Sequence, residues 1–373
     1  MEFSVYRQVL IKSIAHMQSI VERRAPLPIM MNVRIEAKED LVITAANVDL
    51  ELVERVQADI TLPGKITVPV HLLYDILRKL PEEAEVKIRQ LNEQQLIVSS
   101  GKAKFTLSTL SADSFPTMSG ANLSTKFTMT TGELARMMDK TKFAMPTDDT
   151  RYHLAGIFFH ITEDGKNKLL TAVATDSQRM AVCSAAAPAG SEAMPSVILP
   201  RRVIGELSKL LADAEVDDVV VELSDTKARF TLGAAVLTTK LVDAQYPNYR
   251  VVIPKNNDKL AVFGRLPFVE MIDRVSVTST ERTKSVVLNF STGKLVANTS
   301  APEAGAAVEE MDIEYNNAEQ FQIVFNVRFL LDIATQIDAD KMQISMMDSL
   351  SPTIMQGKDK GSDCIYILMP QRV

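Results

Sequence analysis

One phrase recurs three times in this chain at intervals of about 130 residues, and a repeat of that period means tandem modules. The middle copy reads most plainly. Residues 127–130 alternate large and polar side chains, as a short strand does, and Thr131 stands where a helix N-cap is expected. Glu133 falls in the first turn, and Leu134, Met137, Met138 and Thr141 follow at helical spacing. The same order opens the chain at Phe3, with Val9, Leu10, Ile14 and Met17, and returns at Leu260, with Phe268, Met271, Ile272 and Val275. A second phrase, a strand running into a helix, sits at 66–77, 197–207 and 321–333. A third, a strand pair, sits at 41–45, 169–174 and 294–298; a fourth, a late hairpin strand, sits at 105–110 and 236–241. One shared phrase would carry little weight. Four in a fixed order imply three copies of one module, bounded at 1–123, 126–256 and 259–373. Two helices and about eight strands per copy pack as helices on one side of antiparallel sheets, an α+β fold.

The 373 residues suffice for two or three ordinary domains, and 46% hydrophobic with 24% charged residues is the balance of a globular chain. No apolar run approaches the roughly 20 residues of a membrane span. The first residues read at once as strand and helix, so no signal peptide and a cytoplasmic location are expected. Cys183 and Cys364 fall in different modules and are too few for a disulfide framework or a zinc site, so two buried thiols are expected. Reaction chemistry is missing. Gly101-Lys102 lacks the surroundings of a phosphate loop, no Gly-x-Ser-x-Gly elbow occurs, and the four histidines are scattered. Asp148, Asp149 and Asp176 make no tight metal-binding cluster. Neither an enzyme nor a cofactor is expected.

The net charge of -6 argues at first sight against nucleic acid, but its distribution matters more. The helix windows 7–24, 70–80, 132–143, 201–213, 265–277 and 326–338 hold 15 Lys+Arg against 10 Asp+Glu, leaving 26 basic and 37 acidic residues elsewhere. Helices facing a polyanion would give that split; so would the helix propensity of Lys and Arg alone. The apolar strand at 104–110, near a module end, is an edge that wants a partner. Tandem modules whose end edges pair close into a ring, and a ring lined by positive helices would hold duplex DNA through salt-sensitive phosphate contacts without reading sequence.

Four stretches carry a closer likeness: FTLSTLSADSFP at 105–116, ATDSQRMAV at 174–182, KLVDAQYPNY at 240–249 and YILMPQRV at 366–373. With them the chain resembles, over essentially its whole length, the bacterial sliding clamps, the beta subunits of the replicative DNA polymerase III holoenzyme. The resemblance implies a head-to-tail homodimer whose six modules form a ring with the helices inside. An ATP-driven clamp loader complex would place that ring on duplex DNA. The ring would then act as a processivity factor, tethering the polymerase III catalytic subunit and other clamp-binding-motif proteins of replication and repair, with no catalytic residues of its own.

The resemblance also implies a groove between modules two and three for a short apolar peptide. Leu154, Thr175, Ser177, Arg179, Met180, Pro247 and Val252 match one wall; Asn326, Phe329, Leu350 and the tail Ile367, Leu368, Met369, Pro370, Gln371 and Arg372 match the other. For DNA, Arg24, Arg78, Arg202, Lys209 and the Tyr152-His153 loop match, and the basic neighbours Arg23, Lys79, Arg136, Lys140 and Arg201 join them on charge. Phe105 and Leu107 match one side of the dimer seam, facing Val277 in module three of the second chain. The chain departs from the family pattern at Ser177-Gln178, where Gly-His is common, at Val251 for Arg, at Thr283 for an aromatic residue and at Asp148 for an amide. The alternative reading is a peptide-binding scaffold ring that does not retain DNA.

Overall fold

The structure is a computed structural model, and it describes residues 1–118, 122–148, 150–280, 284–358 and 363–372. Asp149 and Thr283, singled out above, lie outside the described residues. Six helices form among the described residues: α1 Arg7–Ile20, α2 Val70–Lys79, α3 Thr131–Lys142, α4 Arg201–Ala212, α5 Arg265–Ser276 and α6 Val327–Gln336. Each matches an expected window to within a residue at its start, because the apolar spacing of each presents one stripe for burial. In α2 the stripe is Val70, Leu73, Ile76 and Leu77; in α4 it is Val203, Ile204, Leu207, Leu210 and Leu211.

Two local expectations shift. α1 stops at Ile20 rather than running to Arg24, because Val21 is buried in extended geometry (φ -84°, ψ 128°). Arg23 and Arg24 therefore stand in the following loop and do not complement the α1 dipole. The hydroxyl of Thr130, not Thr131, accepts from the Glu133 N–H (3.1 Å) and caps α3.

The chain divides into two compact units, one of Met1–Ala135 with Ala187–Val242, the other of Arg136–Ala186 with Asp243–Val373. The first holds a five-stranded antiparallel sheet in the order Asp59–Leu62, Glu2–Tyr6, Glu85–Asn92, Gln95–Ser100, Ala103–Ser108. The expected edge strand is indeed at its edge. An eight-stranded sheet completes the unit, and in it Ala235–Lys240 pairs antiparallel with Leu50–Val56, with Thr239 opposite Leu50. The alternation of each strand aims its apolar residues at the helices, so Phe3, Ile35, Ile43 and Phe230 are fully enclosed.

The second unit repeats the device. Arg179–Ala186 pairs antiparallel with Cys364–Leu368, with Arg179 opposite Leu368. Positions 50 and 239 are 189 apart, and so are 179 and 368. In both units, then, a strand from one repeat copy is completed by the last strand of the next. A four-stranded sheet, Gly305–Asp312, Lys294–Ala301, Ser285–Ser291 and Phe321–Asn326, lies with α5 in this unit.

The expectation of two free thiols is overturned. Cys183 lies directly opposite Cys364 in the strand pairing, at a Cα–Cα distance of 4.1 Å, and the two are joined as a disulfide. Their 181-residue separation hid a contact that only the tertiary register creates. No helix among the described residues is long and apolar enough to cross a membrane.

Candidate peptide groove and basic surfaces

In the second unit the paired strands Arg179–Ala186 and Cys364–Leu368 bring Arg179, Met180, Ile367 and Leu368 of the expected groove residues together. Met180 stands opposite Ile367 on one face of the sheet, and both are buried, as is Leu154, which gives an aliphatic back wall; Leu368, opposite Arg179, is buried on the other face. Pro247, Val252 and Leu350 are exposed at its rim. The tail is tied down at two points, where Met369 N–H donates to Gln178 O (2.9 Å) and Gln371 N–H to Val324 O (2.8 Å). Met369 and Pro370 are thus held half-exposed beside the wall.

The turn between Asn167–Thr175 and Arg179–Ala186 shapes one end. Asp176 Oδ1 accepts from the N–H groups of Gln178 (2.9 Å) and Arg179 (3.0 Å), an Asx turn. Thr175 Oγ1 accepts from Ser177 N–H (3.1 Å) and its hydroxyl donates to Arg179 O (2.7 Å). Ser177 is driven to φ 77°, the left-handed region that favours glycine. Arg151 holds it there, donating to Asp176 O (2.8 Å) and Ser177 Oγ (3.0 Å).

Arg179 is not a free recognition group. Its guanidinium pairs with Asp176 (3.0 Å) and with Asp332 of α6, and it lies over the rings of Phe329 (4.3 Å) and Phe143 (5.2 Å). Asn326 Oδ1 caps α6 by accepting from Arg328 N–H (3.0 Å) and Phe329 N–H (3.3 Å), which fixes where Phe329 sits. The sequence reading missed Asp332, Phe143 and Arg151. Asp332 follows Phe329 by three residues, so they share a helix face, a signal that could have found it.

The basic residues divide by unit. In the first, Arg23, Arg24, Arg78, Lys79 and Arg201 are exposed, while Arg202 donates to Glu22 (3.1 Å) and Ile20 O (2.8 Å), and Lys209 bridges to Glu206 (3.0 Å). In the second, Tyr152 is exposed beside His153 on a short 3-10 turn. Lys140 binds Gln336 O and Asp338, both at 2.6 Å. Arg136 reaches both disulfide sulfurs (3.7 and 3.8 Å) and Ser184 O (3.4 Å). Both thus tie the part of α3 from Arg136 onward within the second unit. At the expected seam, Leu107 is buried within its own sheet, Phe105 is half-buried and Val277 is 80% exposed. Among the described residues no three His, Cys, Asp or Glu side chains are placed to hold a metal ion.

Family models described as the N-terminal, central and C-terminal domains of the DNA polymerase III beta subunit match residues 1–119, 128–248 and 250–372. The beta sliding clamp of Caulobacter vibrioides NA1000 is 39% identical over 376 residues, and that of Escherichia coli K12 33% identical over 378, each match covering 100% of both chains. The crystal structure of the DnaN sliding clamp of Bartonella birtlesii bound to griselimycin superposes with a TM-score of 0.96 at 39% identity, covering 100% of both chains. The DNA polymerase III beta subunit of Pseudomonas aeruginosa gives 0.91 at 35% identity, again over 100% of both chains.

Proposed function

Because the chain belongs to the DNA polymerase III beta subunit family, the non-catalytic sliding clamps that serve replication as processivity factors, we propose that it closes as a head-to-tail dimer around duplex DNA. Three tandem clamp modules of the α+β class make up the chain, and we place their boundaries at 123/126 and 256/259. In this reading Arg23, Arg24, Arg78, Lys79 and Arg201 face phosphate, and Phe105 meets Val277 of a second copy across paired sheet edges. The ring is loaded in the cytoplasm by a clamp loader complex. The groove then captures short apolar segments of the polymerase III catalytic subunit and of repair proteins, and would accept a cyclic peptide such as griselimycin.

The observation that carries the peptide reading is the aliphatic wall of Leu154, Met180 and Ile367 beside a tail pinned at Met369 and Gln371. A buried apolar wall with a few fixed polar groups is how such sites bind. The test is retention on DNA. Loaded protein should stay on a nicked circle and leave within seconds to minutes once the circle is cut. Equal loss from both would sink the encircling reading. Arg23→Ala with Arg24→Ala should lower loading and spare peptide affinity, whereas Met369→Ala with Pro370→Ala should do the reverse. A second reading, a scaffold ring without DNA retention, draws support from the internal engagement of Arg136, Lys140, Arg202 and Lys209. The same experiment decides between them.

A further inference from the structure

The first unit contains a cavity of about 630 Å³, within the size range of sites that hold a drug-sized molecule or a few peptide side chains. It is built by the same local device as the groove. Asn47 Oδ1 accepts from the N–H groups of Asp49 and Leu50, both at 2.9 Å, just as Asp176 Oδ1 accepts from Gln178 and Arg179. Lys240 N–H donates to Asp49 O (2.9 Å), the counterpart of Met369 N–H on Gln178 O at the same distance. Val48 therefore stands where Ser177 stands, and Lys240 where Met369 stands. The cavity is lined in addition by the residues after α1, by residues 116–118 and by Arg202 on α4.

The chemistry of this cavity differs from that of the groove. Its apolar surface comes from Leu27, Met30, Val48, Pro116 and Met118, with Leu27 and Val48 62% and 72% exposed. Among the described lining residues Arg202 pairs with Glu22 (3.1 Å) and Lys240 with Asp49 (3.2 Å), Lys227 adds a third cation, and Arg23 and Arg24 follow Glu22 on the same loop, so basic groups outnumber acidic ones. Among the described residues no aromatic side chain lines it, so a nucleobase would find no face there on which to stack. Aliphatic side chains and negative charge are what this lining complements.

We propose that this cavity is a second docking site, which takes a short linear peptide combining acidic residues with an aliphatic anchor. Its anchor sits against Val48 and Leu27, and its carboxylates lie near Lys240 and Arg202. The site is separate from the groove and does not depend on DNA being encircled.

Methionine methyl NMR tests this on the full chain, because Met30 and Met118 report on the cavity while Met180 and Met369 report on the groove. The probes are acetyl-Asp-Leu-Asp-Leu-amide, its Lys-for-Asp counterpart and oligothymidylate. The acidic peptide should shift the Met30 and Met118 signals saturably below about 1 mM. Val48→Asp, at an exposed turn where folding is not at risk, should weaken that response by about tenfold. The basic peptide should leave both signals in place. Shifts confined to Met180 and Met369, a response to oligothymidylate but not to the peptide, or no saturable shift at Met30 and Met118 would each overturn the proposal.

Discussion

Replacing Arg179 by Ala removes the one cation that two carboxylates and two aromatic rings share. Arg179 and Asp176 are close to buried, with side chains 10% and 13% exposed, while Asp332 is 35% exposed. Deleting one member of a buried ion pair costs about 3–5 kcal/mol, since the remaining charge is left uncompensated. Water reaches Asp332, which argues for the lower end of that range. Losing the contacts to Phe329 and Phe143 adds about 1 kcal/mol. The total is about 4 kcal/mol, close to three decades in an equilibrium constant. Amide hydrogen exchange reads it locally, which suits a chain of several modules better than a global melt. Amides of Arg179–Ala186 and Cys364–Leu368 should exchange about a thousandfold faster in the variant, and those of the first unit should not change. Peptide affinity should fall too, because Phe329 and the Ser177 turn lose their common tether. Arg179→Lys keeps the charge but not the fork and should recover part of the loss. Acceleration under tenfold with unchanged peptide affinity would refute the reasoning.

Two histidines should give opposite pH signatures. Burial disfavours a charged His16, but hydrogen bonds to Glu54 (2.8 Å) and Asp213 (3.0 Å) outweigh it and raise its pKa. The stabilisation is complete below the ordinary imidazole range and disappears as pH rises through the raised value. His16→Gln should flatten that alkaline slope in melts of the first unit. His160 is pushed down to about 4, chiefly by burial and then by Arg250. It folds neutral, so the second unit should lose stability as pH falls from about 6.5 toward 4, and a histidine C2–H titration that shows His160 charging near 6.5 would contradict this. The Cys183–Cys364 bond closes a loop of 181 residues and should stabilise the second unit by up to about 5 kcal/mol. Thiol titration of unreduced, unfolded protein should find no free cysteine.

What was legible in the sequence was whatever repeats or is local. Helical spacing marked all six helices, because a buried stripe is written within one turn of its neighbours. The first helix was drawn too long because Glu22, Arg23 and Arg24 are good helix formers, while the burial of Val21 that ends it is a tertiary fact. Leu107 and Phe105 share a strand face by alternation, yet only the fold decides that Leu107 is enclosed and Phe105 half-open. Family motifs pointed to candidate groove residues but not to the packing of Arg179, since Asp332 reaches it from α6 and Phe143 from the turn after α3. The disulfide was hidden for the same reason. A repeat marks copies of a module, whereas the compact units mark where chain is buried against chain, and here the two divide the molecule differently.

That last feature bears on how the protein is made. Leu50 must wait for Thr239, 189 positions later, before its strand is covered, and Arg179 must wait equally long for Leu368. At about 5–20 residues per second a ribosome needs roughly 10–40 s to supply each closing strand. Throughout that interval a nascent chain displays an unpaired sheet edge, a template for sticking to its neighbours. In the second unit the strand that closes the sheet is Cys364–Leu368. A chain truncated by even its last ten residues would have no strand to close that sheet, and the cell's quality control would meet it as an open edge.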